Sequence, residues 1–205
     1  NDFKGAAQYY ELMMANTQEF NSYLIEITKV YEEYDNLKAA IQVLNKAEKQ
    51  DRELTFEQKL RKVDLLMKSD QAKDAIKYLA TLNQQSPANT NILFRYASAL
   101  SNNDQVDEAI SILESSNLDT NDLKLLLAEN YLKAGNLSKQ KEMLLAVYND
   151  EEANLSIKTL LLGQWAFSSD LNQNATLLDS LQTQLEIDYP NESIAIENGG
   201  LIYSK

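Results

Sequence analysis

The sequence contains no cysteine and no histidine. Disulfides, thiolate nucleophiles, zinc centres built on Cys or His and imidazole acid–base chemistry are excluded with them. The redox compartment leaves no trace either, so cytoplasm and periplasm suit the chain equally. Five glycines and two prolines in 205 residues are too few for the turns of an all-β protein and enough for a helical one. The longest apolar run, Met143–Tyr148, falls far short of the ~18 residues of a membrane span, so no span is expected in this segment. Positive charge is scarce as well: 19 basic residues stand against 31 acidic ones, a net charge of −12. Nucleic acid would be repelled, and no basic stripe with interleaved aromatics offsets this. The acidic runs Glu32-Glu33 and Asp150-Glu151-Glu152 lack the glycine and spacing of a calcium-binding loop. No glycine-rich phosphate loop, serine elbow or metal triad is present. The chain is therefore expected to have no catalytic residues, no metal and no cofactor, and not to be an enzyme.

What remains is a composition typical of a folded domain, 44% hydrophobic and 24% charged, with a clock running through it. Ala6, Ala40, Ala75 and Ala109 lie 34, 35 and 34 residues apart, and each is followed four residues later by a large side chain: Tyr10, Leu44, Leu79 and Leu113. Self-similarity at that period means one supersecondary unit copied along the chain. Around each alanine the apolar residues follow helical spacing, as in Leu37, Ala40, Ile41, Leu44 and Ala47. Upstream of Ala40, Ala75 and Ala109 lies a second apolar stripe. The first unit has Leu24, Ile27, Tyr31 and Tyr34; the second has Leu60, Val63, Leu66 and Met67; the third has Leu93, Tyr96, Ala97 and Leu100.

Short breaks separate the stripes at Asp35-Asn36, Ser69-Asp70 and Asn102-Asn103-Asp104, and Gly135 stands where a helix would end in a left-handed residue. A fifth break is placed at Ser169-Asp170, and Pro87 and Pro190 each follow a second stripe as stop signals. Two amphipathic helices joined so tightly should pack antiparallel. The fourth unit replaces the alanine by Gln140, with Leu144 in the large slot. The units are placed at about 18–54, 55–89, 90–120, 121–154 and 155–190 in a single array, with half-units at 1–17 and 191–205. Array ends normally carry polar caps, so the chain is expected to be cut from a longer array.

The sequence resembles the tetratricopeptide repeat family, whose pattern is W-x2-L-G-x2-Y, then A-x3-F, then P. Leu162-Gly163 match its L-G pair, Tyr31 and Tyr131 its tyrosine, the four alanines its small residue and Pro87 its closing proline. No unit carries every marker, no tryptophan opens a unit, and the fourth has Gln140 for alanine. The resemblance covers nearly the whole chain. It implies an all-α fold: a right-handed superhelix, an α-solenoid of antiparallel helix pairs with about twelve helices.

The resemblance further implies a scaffold that binds a protein or peptide in a concave groove lined by the first helix of each unit. Mapped onto this sequence, the groove candidates are Lys29, Arg61, Asp64, Phe94, Arg95, Ser98, Leu125, Glu129, Gln164 and Phe167, with Glu26 and Leu60 beside them. Arg61 and Arg95 occupy one slot 34 residues apart and could hold a carboxylate or follow an acidic segment. Local ion pairing is the competing reading: Glu26 fills the same slot one unit earlier, and Asp64 lies three residues from Arg61. Phe94, Leu125, Leu160, Leu161 and Phe167 form a candidate apolar stripe for an amphipathic partner. The family's clamp for carboxyl-terminal carboxylates is not reproduced, which disfavours a chaperone-tail receptor. A self-associating array joined through its end helices into homo-oligomers is the alternative. Heavy Asn, Lys and Tyr usage has a bacterial cast, and bacterial envelope lipoproteins often contain such arrays. Periplasm or cell envelope is thereby favoured over cytoplasm.

Overall fold

The computed structural model describes residues 5, 9, 12, 20–49, 53–166 and 171–193. Among these residues there are ten helices and no strand: α1 (Phe20–Glu33), α2 (Leu37–Lys49), α3 (Phe56–Lys68), α4 (Ala72–Gln85), α5 (Thr90–Ser101), α6 (Val106–Glu114), α7 (Asn121–Lys133), α8 (Leu137–Tyr148), α9 (Leu155–Ala166) and α10 (Leu171–Asp188). The half-units expected at the two ends, with Ala6 and Tyr10, lie outside the described residues apart from isolated positions. The chain divides into two compact units, residues 1–109 and 110–205.

Four helix reversals are built alike. Asp35, Asp70, Asp104 and Gly135 all have positive φ, at 56°, 57°, 62° and 74°. At each, the amide of the next residue reaches back to a carbonyl in the last turn of the first helix: Asn36 to Tyr31, Gln71 to Leu66, Gln105 to Leu100 and Asn136 to Tyr131, at 2.8–3.0 Å. This is the Schellman closure, which satisfies carbonyls that the helix end leaves orphaned. Aspartate tolerates the left-handed region better than most residues, and glycine occupies it freely. The second helix then starts at once. The Asn36 and Asn136 side-chain oxygens accept from the amides of Ala39 and Lys139, both at 3.2 Å, so one short turn ends one helix and caps the next.

The small residue governs packing. Ala40, Ala75 and Ala109 are all 0% exposed, and so are Leu44, Leu79 and Leu113 four residues on. A methyl at the crossing lets the helices approach, and the leucine one turn away fills the space beside it. In the first unit α1 packs on α2, α2 on α3 and α3 on α4. Their shared core includes Leu24, Ile27, Leu44, Leu65 and Ala75. In the second unit α7 packs on α8, α8 on α9 and α9 on α10, around Ala128, Leu144, Val147, Leu162, Leu178 and Leu185. Tyr34, expected on the apolar stripe of α1, is instead 44% exposed. It lies past the last residue of α1, beside the left-handed Asp35, where the helical period no longer governs which way a side chain faces.

Candidate functional site

The two arginines of the shared slot are tied to the preceding first helix. Arg61 of α3 bonds Glu32 of α1 through Nη2 and donates from Nε to Thr28 Oγ1 at 3.1 Å. Lys68 takes the other Glu32 oxygen. These two cations, Lys68 first and then Arg61, hold the Glu32 carboxyl below its usual range. One repeat on, Arg95 of α5 pairs with Asp64 of α3 at 2.7 Å and donates from Nε to Asn91 at 3.0 Å. The partners are 29 and 31 residues apart, short of the repeat period by about one helical turn. The ion pairs of the ladder therefore run between repeats: Arg61 takes Glu32 of the preceding first helix, and not Glu26 of that helix or Asp64 of its own. Sequence spacing holds the signal, an acid about 30 residues before a base, but not the offset between helices that selects Glu32 over Glu26.

The remaining candidates divide by exposure. Lys29 pairs with Glu26 at 2.9 Å, both side chains about half exposed. Phe94 and Ser98 on α5 are half-buried. On α7, Leu125 is partly buried against the second core, and Glu129 pairs with Lys133 at 2.9 Å. Of the apolar stripe, Leu161 is buried at 2% and belongs to the core, whereas its neighbour Leu160 is 60% exposed. Consecutive residues on a helix point about 100° apart, so a stripe containing both was never one face. The side chain of Gln164 and the whole of Phe167 lie outside the described residues.

Each unit also holds a cluster of glutamate, lysine and tyrosine. In the first, Glu48 of α2 accepts from Lys62 Nζ and from the Tyr78 hydroxyl, both at 2.5 Å, and Lys62 Nζ sits 4.2 Å from the centre of the Tyr78 ring. Burial, then the Glu48 carboxylate, drive the Tyr78 hydroxyl far above its ordinary value. In the second, Glu114 accepts from the Tyr131 hydroxyl and from Lys139 Nζ, the latter at 2.9 Å. A cavity of about 370 Å³ opens beside the first cluster, lined by Glu48, Glu53, Leu54, Lys59, Tyr78, Thr81, Leu82 and Gln85. Its walls mix aliphatic surface with groups already engaged with one another: Glu48 holds Tyr78, and Lys59 lies 3.7 Å from Glu53. No helix among the described residues is long and apolar enough to cross a membrane.

Stacked helical hairpins, three of them with a buried alanine at the crossing, define the class: a repeat protein of the α-solenoid type. The family model of the tetratricopeptide repeat matches residues 66–122, from the end of α3 to the start of α7. In fold the chain is similar to the nearly identical tetratricopeptide-like repeats of a Podosopora anserina protein described as a kinesin light chain, with 16% identity and a TM-score of 0.56 over 84% of this chain and 96% of that one. The tetratricopeptide resemblance and the all-α helix-pair fold are thus borne out. No curated protein matches the sequence.

Proposed function

We propose that the chain is a non-enzymatic protein-interaction scaffold that holds a peptide or a partner protein along the faces of its first helices. The observation that carries this reading is the inter-repeat ladder. Glu32, Arg61, Asp64 and Arg95 tie successive first helices together while Arg95 and Asp64 keep 41% and 43% of their side chains exposed. A surface held rigid before binding loses little conformational freedom on binding. Arg95 and Lys29 offer donors, and Asp64 offers an acceptor, to a polypeptide laid across them. The tetratricopeptide match over 66–122 supports protein or peptide as the class of partner. The setting that the composition favours is a bacterial envelope assembly.

Site-directed photo-crosslinking in the source cells tests this. A photoreactive residue at Lys29 or Ser98, on first helices, is expected to trap a partner protein. The same probe at Lys73 or Glu142, exposed on second helices, is expected to trap none. Equal trapping from both sets, or adducts only between copies of this chain, would overturn the reading, the second result in favour of self-association.

A further inference from the structure

We infer that the outer face of α7 is a docking surface for a basic amphipathic helix of a partner protein. This deepens the scaffold reading and rests on it. Asp122, Leu125, Glu129 and Leu132 are spaced i, i+3, i+7 and i+10, which lines them up along one side of the helix. Asp122 and Glu129 are exposed, Glu129 with Lys133 at 2.9 Å beside it; Leu132 is 51% exposed, and Leu125 shows the part of its side chain that the core leaves uncovered. The position of Leu132, three residues before the left-handed turn, is the one Glu32 occupies in α1. There Glu32 is covered by Arg61 and Lys68 of the next first helix; here a leucine is left open.

Charge decides the occupant. Residues 110–205 hold fourteen acidic side chains and six basic ones, so this unit carries −8 of the net −12. More acids gather at the amino-terminal end of α7, where Lys124 spans from Asp119 at 2.7 Å to Asp150 at 4.0 Å and so joins two loops. Glu151 and Glu152 follow in the second loop, both exposed. A facing helix that alternates lysine or arginine with leucine-like residues would set its cations against Asp122 and Glu129 and its apolar side against Leu125 and Leu132. An acidic or purely apolar segment would leave these carboxylates facing like charge or without water.

Fluorescence anisotropy on the whole chain provides the test. The probes are a labelled leucine–lysine peptide of helical period, a shuffled peptide of the same composition and a leucine–glutamate twin. The periodic basic peptide should bind at least tenfold more tightly than either other probe. The charge variant Asp122→Asn with Glu129→Gln should weaken binding about tenfold, and Leu132→Ser alone several-fold. The control Glu142→Gln with Glu186→Gln removes the same net charge elsewhere in the unit and should leave binding within twofold. Equal binding of the shuffled peptide, or equal loss in the control pair, would overturn the proposal by reducing it to bulk charge; absence of binding would overturn it outright. Partner crosslinks from Lys29 or Ser98 would in either case leave the scaffold reading standing, so the two can fail separately.

Discussion

The glutamate–lysine–tyrosine clusters of the two units use the same three residue types at opposite depths. In the first, Lys62 has a side chain only 10% exposed and Glu48 one that is 31% exposed. In the second, Lys139 and Glu114 are 49% and 44% exposed. The roles are also exchanged: the first helix supplies the lysine in one unit and the tyrosine in the other. Sharing residue types does not make the two clusters equal in energy, because an ion pair is worth what its surroundings make it. A lysine shielded from water depends on its carboxylate, whereas an exposed one falls back on solvent.

The largest expected effect follows directly. Glu48→Ala strips Lys62 of its counter-ion and the Tyr78 hydroxyl of its acceptor, and should cost about 2–3 kcal/mol, somewhat below the figure for a fully buried pair because Glu48 is partly exposed. Glu114→Ala should cost under about 1 kcal/mol. Chemical denaturation of both variants checks the contrast. Equal losses would show that depth does not separate the two clusters.

The small-residue slot divides the units in the same direction. Ala75 is 0% exposed, and Ala75→Leu should overpack its crossing at a cost of roughly 1–3 kcal/mol. Gln140, in the corresponding slot of the second unit, is only partly buried, so that crossing already accommodates a long side chain. Gln140→Leu should therefore shift stability by less than about 0.5 kcal/mol. A large loss in Gln140→Leu would mean that the glutamine is held by its amide and not merely accommodated.

The sequence carried the hairpin pattern, the turn positions and the alanine–leucine crossings because all of these are local. A period of 3.6 residues, a break and a small residue are each visible within one unit. Asp35, Asp70, Asp104 and Gly135 were legible as breaks for that reason, and the three aspartates at positive φ show why a break need not contain glycine. The candidate surface was less legible. Whether Arg61 meets Glu26, Asp64 or Glu32 depends on how far one first helix slides along the next. Nothing within a single repeat encodes that offset. Leu160 and Leu161 were indistinguishable by composition, and only the rotation of α9 about its axis separates an exposed leucine from a core one.

The smallest effect is a dependence on pH, and it sharpens the contrast at the exposed cluster. The Tyr131 hydroxyl, then Lys139, hold the Glu114 carboxyl below its ordinary value. Its contribution to stability is therefore present above the unfolded value near 4.5 and lost as pH falls through the lower folded value. At the other end, Glu114 first and then Tyr131 raise Lys139 above 10.5, and burial, followed by Glu114, raises Tyr131 above 10. Those contributions are present below the unfolded values and fade as pH climbs through the higher folded ones. Glu114→Gln removes the anion on which the Glu114 and Lys139 contributions rest, and with it the smaller part of that of Tyr131, whose larger part comes from burial. The stability gap between the parent chain and this variant should be widest near pH 7, narrow by pH 3.5 and narrow again above pH 10.5. Urea denaturation at those three values reads it. A gap that stays constant would mean that Glu114 stabilises its unit through shape and neutral hydrogen bonding, with no share from its charge.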